Sequence, residues 1–545
     1  MARSGLTQML RRIHAAHAQA QFTGVPVDEV FEGQAATRLS RADFLAGAAG
    51  VGALAAVGAV TGCAKTPAPP QPLTTKSRQT RRIVVVGAGL AGMTCAYRLT
   101  HAGLPCEVYE AARAVGGRTW SLRRFFAGGQ IAEHGGEFIS SEHRALRSLV
   151  RELDLELVDL RAGNPAANET YFVRGQRYAE RDVIRDYAPV YRALQRDVAA
   201  AGFPTTYDRH TRAGVALDRM SVVDWIKANV PGGLESKMGW LLDVDCTTEN
   251  AGEAAQQSAL NLIYMLGYMP TYEAGGGFYI VGTDERYNVA GGNDQIVERM
   301  SRHLPGGTVH TDTALVGLRR RSDGSYTCTF QSGARAFDVP ADHVVLSLPF
   351  TLLREVDFSG AGFSALKATA IKELPLGTTS KLHLQFRNRY WHGLGSNGAS
   401  YADTGYQQTW DVTRGQAGAP GILVDYTGGD VGASFQSTVH GPAGAQAARR
   451  FLAQIEPVYP GIKATWNGKA YLDNWAGDRW HHGSYSYWKV GQCTKFVGIE
   501  KVRQGNVHFC GEHTSVIFGG FMNGAVVTGE EAAQEILRVE RRAAA

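Results

Sequence analysis

At 545 residues the chain is too long for a single hydrophobic core, which predicts two or three domains. It is 44% hydrophobic and 20% charged, a folded globular composition, and a net charge of +5 over this length gives no case for a nucleic-acid partner. Seven cysteines without a C-x-x-C exclude a disulfide scaffold, and no metal site is expected.

Residues 1–80 are expected to precede the fold. A polar region with scattered arginines leads to Leu39-Ser-Arg41-Ala42-Asp-Phe44-Leu45, and an Ala/Gly-rich apolar run then extends to Thr61-Gly62-Cys63. Its weak hydropathy suits an export signal better than a membrane span. The stretch resembles a twin-arginine signal ending in a lipoprotein box, Val60-Thr61-Gly62-Cys63, with Ala42 where the second arginine belongs. The expectation is an export signal over 1–63, a lipid anchor at Cys63 and a Pro-rich tether over 64–80. The location is then extracytoplasmic, or cytoplasmic where this degenerate signal is not used.

The segment Arg82-Ile-Val-Val-Val-Gly87-Ala-Gly89-Leu-Ala-Gly92 reads as a buried strand, a G-x-G-x-x-G turn and the start of a helix. Gly87 permits the turn, Gly89 lets backbone N–H groups approach a pyrophosphate, and Gly92 lets the helix pack close. The helix N-terminus adds partial positive charge there. A second strand over Pro105–Glu110 ends in a carboxylate, about twenty residues after Gly89, where an acid meets a ribose 2′-OH. Cys95 and Cys106 fall in this helix and strand and read as packed small hydrophobes.

Beyond Gly116-Gly117-Arg118 and Glu133-His134-Gly135-Gly136-Glu137, residues 141–275 are mainly helical in pattern, with a strand pair around Gly175. A helix follows Gly291-Gly292, and a hairpin turns at Asp323-Gly324. A strand over His343–Leu348 stops at Pro349, and 376–480 is rich in strands. In Ser380–Phe386, Lys381, His383 and Gln385 share one face, and Leu382, Leu384 and Phe386 share the other. The chain closes with a strand over Asn506–Cys510, the turn Gly511-Glu512-His513 and a helix over Phe521–Arg538. The adjacent His481-His482 pair lacks a third ligand and reads as loop, not metal.

With these stretches in view, the chain resembles the FAD-dependent amine oxidase family of monoamine, polyamine and L-amino-acid oxidases. The resemblance rests on the fingerprint with Glu110, on Gly116-Gly117-Arg118, on Lys381 with Tyr390-Trp391, and on Gly511-Glu512 with Gly520–Ala525. It implies an α/β fold, with a Rossmann-type FAD-binding domain (81–150, 281–350 and 490–540) interleaved with a mixed-sheet substrate domain (351–489). A mainly helical insertion spans 151–280.

The same resemblance implies roles. Gly87, Gly89, Gly92, Glu110, Arg118, Gly135, Gly136 and Glu512 would hold FAD. Val316 would meet the adenine through its backbone, and Met522 would open the last helix toward the flavin. Lys381 would hold a water at the flavin N5 and assist reaction with oxygen. Tyr485 and Phe521 would form two aromatic walls. Trp480 and Trp488 read as packing. Ser484 stands where some members carry a flavin-linked cysteine, so FAD is expected to be non-covalent.

The expected reaction is hydride transfer from an amine α-carbon to flavin N5, giving an imine that is hydrolysed, with oxygen reduced to hydrogen peroxide. No arginine follows Gly135-Gly136 to pair with a carboxylate, which favours an amine without one, although Arg479 or Arg387 could reach in. An L-amino-acid oxidase, a dehydrogenase with another acceptor and a non-catalytic flavin binder are the alternatives. A homodimer is a further expectation.

Overall fold

The β-branched run Ile83–Val86 is buried on both faces, as a central strand of a parallel sheet must be. In the computed structural model, which describes residues 5–32, 81–161, 168–268, 271–274, 277–280, 284–436 and 438–542, this run is the first strand of the fold. The chain runs from α1 (Gly5–Thr23) to β1 (Ile83–Val86), α2 (Leu90–His101), β2 (Glu107–Tyr109) and β3 (Asn168–Val173). It continues through α3 (Lys237–Asn250), β4 (Val309–His310), β5 (His343–Leu346), β6 (Ser380–Phe386), β7 (Gly421–Thr427) and β8 (Trp466–Asn474). It closes on β9 (Val507–Phe509) and α4 (Met522–Arg542), with further elements between.

Five strands form one sheet in the order β4-β2-β1-β5-β9, and every pair in it is parallel. Parallel neighbours need crossovers, and here the crossovers carry most of the chain. The β5–β9 pairing sets Val344 beside Val507, so the C-terminal strand completes the sheet that β1 begins. On one face α2 and α4 pack over a core that includes Val85, Cys95 and Cys510. On the other, Val84, Val86 and Val344 meet the hairpin strands of 314–341.

An eight-stranded mixed sheet holds β8, β6 and β7 as its second, third and fourth strands, and β3 lies near its far edge. All seven residues of β6 are buried, so the face bearing Lys381, His383 and Gln385 is as enclosed as the apolar one. Gln385 shows how: its side chain exchanges hydrogen bonds with the backbone of Ala127. A helical layer over 180–267 includes α3 and a capping box in which Ser221 and Asp224 satisfy each other's backbone N–H groups.

The N-terminus differs from expectation. Residues 5–32 do not precede the fold but belong to it, with Leu6, Leu10, Ile13 and Ala16 fully buried in the helical core. Thr7 donates to Asp245 on α3 at 2.7 Å, and the backbone N–H of Leu6 donates to the Tyr401 hydroxyl at 2.6 Å. The His14 ring packs on Tyr191 at 4.7 Å, and burial pulls its pKa down to about 3, so it is neutral there. The apolar spacing i, i+3, i+4, i+7 of Leu6, Met9, Leu10 and Ile13 is the signal of this helix. Arg11 and Arg12 break the pattern to the eye because their long stems let them lie along the same surface. The signal elements from Leu39 to Cys63 and the tether lie outside the described residues. No described helix is long and apolar enough to cross a membrane.

Because Leu10 is fully buried, Leu10→Ala should cost about 2–5 kcal/mol, read as a lower urea midpoint at unchanged m-value. A variant as stable as the parent would show that α1 is not integral.

Candidate active site

The C-terminal ends of the parallel strands are where an open α/β sheet builds its ligand crevice. A cleft lies there, lined by residues from segments hundreds of positions apart. Gly87, Gly89 and the first turn of α2 form one side, and Gly511, Glu512 and the start of α4 form another. A Cβ on Gly92 would stand 2.0 Å from the Gly87 carbonyl oxygen, so only glycine lets α2 sit so close to the turn. A Cβ on Gly89 would meet no protein atom within 4 Å, which leaves that face of the turn open to the cleft.

Glu110 follows β2 into the cleft and accepts from the backbone N–H groups of Ala88 at 2.7 Å and Ala112 at 2.8 Å. Burial raises its pKa, and those donors oppose the rise. Arg118 bridges two remote segments, donating to Glu512 at 2.9 Å and to the Ser484 carbonyl. Glu512 also accepts from the Gly520 N–H and the Ser486 hydroxyl, each at 2.8 Å. Burial alone would push this carboxyl up, but Arg118 foremost holds it below the usual range.

Lys381 reaches the cleft from β6, with its ammonium aimed at the turn 133–137. It donates to the Glu133 carbonyl at 2.6 Å and to the Glu137 carboxylate at 2.7 Å, with a longer contact of 3.4 Å to the Gly135 carbonyl. The Tyr485 hydroxyl lies 2.6 Å from that of Tyr426 and donates to the Thr248 carbonyl at 2.8 Å. Phe521 lines this cleft and also a second cavity, whose wall carries Arg11, Arg144, Tyr264 and Trp488. The phenyl ring thus stands at the junction of the two spaces.

The cleft gathers Lys381, Tyr485, Phe521, Gly87, Gly89, Glu110, Arg118, Gly135, Gly136, Glu512 and Met522. Gly92 stands behind it as the close-packing position. Val316 is not brought in: it sits 39% exposed in a bulge, and its carbonyl accepts from the Asp357 N–H. Trp480 lines the cleft and Trp488 the second cavity, so neither is simply packing. His481 also lines the cleft and pairs with Asp478 at 2.8 Å, whereas His482 pairs with Glu355. Nothing in the sequence marks Tyr426 or Glu137 as a site residue. Each sits in an ordinary strand or turn context with no motif of its own.

Behind the turn, Asp473 accepts from His134 at 2.6 Å and His440 at 2.7 Å, and His440 contacts Asp478 at 3.0 Å. Burial disfavours charge on His440, but its bonds to Asp473 and Asp478 carry its pKa up to about 9. Asp473, buried as it is, is brought down to about 2 by His134 foremost.

The residues fit a flavin dinucleotide. The open face at Gly89, the carboxylate at Glu110 and two helix N-termini at α2 and α4 supply the donors and acceptors such a group needs. A family model described as flavin containing amine oxidoreductase matches residues 90–537. The human amine oxidase [flavin-containing] B is 23% identical over 477 residues, covering 84% of this chain and 86% of that protein. The L-amino-acid oxidase of Crotalus adamanteus is 23% identical over 484 residues, covering 85% and 88%. Among solved structures, cyclohexylamine oxidase from Brevibacterium oxydans has a TM-score of 0.71 at 20% identity, covering 85% of this chain and all 100% of that one. Wild-type putrescine oxidase bound to putrescine gives 0.68 at 20% identity, covering 84% and 99%. The chain therefore belongs to the flavin-containing amine oxidoreductases and is an FAD-dependent enzyme.

Two outcomes follow from the geometry. Gly92→Ala should lose bound flavin, measured as the ratio of visible to protein absorbance after gel filtration; full retention would refute the close-packing role. The raised pKa of His440 means its contribution is complete below about 6.5 and is lost as pH rises through about 9. The difference in Tm between the parent and His440→Leu should therefore shrink from pH 6.5 to pH 9.

Proposed function

We propose that the protein oxidises an amine carrying no α-carboxylate, with oxygen as acceptor, hydrogen peroxide as product and FAD held non-covalently. The carrying observation is the charge content of the first cleft. Its one guanidinium among the described residues is Arg118, which is already committed to Glu512 and the Ser484 carbonyl. A substrate carboxylate needs a fixed cation, ideally a bidentate arginine. Arg387 instead donates to the carbonyls of Ala464 and Trp466, and Arg479 lies over the Trp480 ring at 4.2 Å. Two structural neighbours bear the names of putrescine and cyclohexylamine, amines of the proposed kind.

Bound FAD supplies the two-electron acceptor for the C–H bond beside the amine nitrogen, and the imine then hydrolyses to a carbonyl compound. The chain's own residues prepare the substrate. Tyr485 is pinned by Tyr426 and the Thr248 carbonyl, so its ring is a fixed wall, with Phe521 also bounding the space. Such walls exclude water and favour a neutral amine, whose lone pair assists loss of hydride. Lys381 supplies a fixed positive charge beside the cradle, on the side proposed for oxygen. Ser484 lines the cleft but no cysteine among the described residues does, which supports a flavin without a thioether link.

A second reading, L-amino-acid oxidation, is favoured by one observation: Arg11 and Arg144 line the cavity beyond Phe521. A peroxide assay over matched pairs of amines and L-amino acids separates the two. With the cleft's one guanidinium among the described residues committed to Glu512 and Lys381 paired with Glu137, an amino acid should react about tenfold to a hundredfold more slowly than its decarboxylated amine. The reverse order would establish the second reading. Lys381→Met should retain flavin and slow its reoxidation in air by about tenfold or more; a parental rate would remove Lys381 from the oxygen side.

A further inference from the structure

The turn between Glu133 and Phe138 carries two buried carboxylates, and only one of them meets the lysine through its side chain. Glu133 is consumed within the protein: its oxygens accept from the Asn293 N–H at 2.9 Å and the Ser121 hydroxyl at 2.7 Å. Glu137 points the other way, toward β6. One oxygen accepts from the Lys381 ammonium at 2.7 Å and the other from the Trp410 indole N–H at 2.8 Å. Both side chains of the ion pair are 3% exposed. The backbone of Glu137 is itself held, since the Asn293 side chain donates to its carbonyl at 2.7 Å.

An ammonium so enclosed keeps its proton only if a counter-charge compensates its lost hydration. We propose that Glu137 is the positioning residue of the reaction: it holds Lys381 charged and aimed at the cradle. Lys381 thereby presents a fixed cation to the reoxidation step instead of a mobile or neutral amine. The inference rests on the oxygen-side reading of Lys381 given above. Two hydrogen bonds lock the ammonium at its back, to Glu137 and to the Glu133 carbonyl. The third N–H makes the longest contact, 3.4 Å to the Gly135 carbonyl, and is the donor most easily turned toward the cleft.

The other titratable groups facing the pair leave this role to Glu137. On β6 itself, His383 is fully buried, and burial foremost, with Lys381 beside it, drives its pKa well down, so it brings no competing charge. Asp473 and Tyr426 stand opposite Lys381 on β8 and β7. Asp473 is taken at one oxygen by both His134 and His440, its other oxygen lies 3.9 Å from His383 on the same strand as Lys381, and Tyr426 is engaged by Tyr485. Glu133 and Glu285 are both pushed up by burial, Glu133 to about 8.

The test compares the parent with Glu137→Gln, Glu137→Asp and Lys381→Met, each first checked for flavin content. In holoenzyme carrying 13C-ε-labelled lysine, the Lys381 signal is identified by its loss in Lys381→Met and titrated by NMR. In Glu137→Gln it should titrate at least about one pH unit lower, a tenfold change in the ratio of charged to neutral amine. Reoxidation after photoreduction, which needs no amine, should have its alkaline limb moved down by the same interval, slowing by up to about tenfold at pH values above the variant's limb. Glu137→Asp should restore most of both. If Glu137→Gln titrates and reoxidises as the parent does while Lys381→Met is slow, the inference fails alone. If Lys381→Met reoxidises at the parental rate, the oxygen-side reading beneath it has failed.

Discussion

Everything in this molecule depends on how closely the last helix lies against the first helix of the sheet domain. At Gly529 of α4 a Cβ would stand 2.4 Å from the Ala91 carbonyl oxygen on α2, so the crossing tolerates nothing larger than hydrogen. That contact, with the parallel ladder β1-β5-β9, brings the start of α4 to the open side of the Gly87–Gly92 turn. Arg118 and Glu512, 394 positions apart, then meet at 2.9 Å and tie the two ends together across the cleft. The cleft has no independent existence. It is the space left when two segments, each incomplete, close on each other.

The second domain is fastened to the first through its polar groups more than its apolar ones. Lys381 on β6 pairs with Glu137, and Asp473 on β8 holds His134, so two neighbouring strands of the mixed sheet grip the same turn. Buried ion pairs are weak devices for net stability, because desolvation consumes most of the Coulomb gain. They are strong devices for position, since a misplaced partner leaves a bare charge. The turn they grip carries Gly135 and Gly136, which line the cleft. This arrangement spends stability to place the wall of a reactive site, the usual exchange at such sites.

α1 adds a different lesson about the helical layer. It fills the core between Tyr187, Tyr191 and α3, and its Arg11 reaches the wall of the cavity beyond Phe521. A segment that precedes the sheet domain by dozens of residues thus shapes the space next to the reaction chamber. Its amphipathic spacing was there to be read, but two arginines and two histidines gave it the look of a polar leader.

From the sequence alone, the strand–turn–helix fingerprint, Glu110, the closing Gly511-Glu512 strand and turn, and the alternation of β6 could be read, because each is a local pattern written in residues a few positions apart. The interleaving could be inferred from the likeness of the two distant strands, and Arg118, Lys381, Tyr485 and Phe521 came from resemblance to known oxidases. Tertiary structure alone decided which faces meet. It buried both sides of β6, gave Lys381 its carboxylate partner, set Tyr426 against Tyr485, folded α1 into the core and left Val316 outside the cleft. The reason is physical: helix and strand periodicity are properties of neighbouring residues. The pairing of a buried charge is settled only when segments hundreds of positions apart exclude water from the same place.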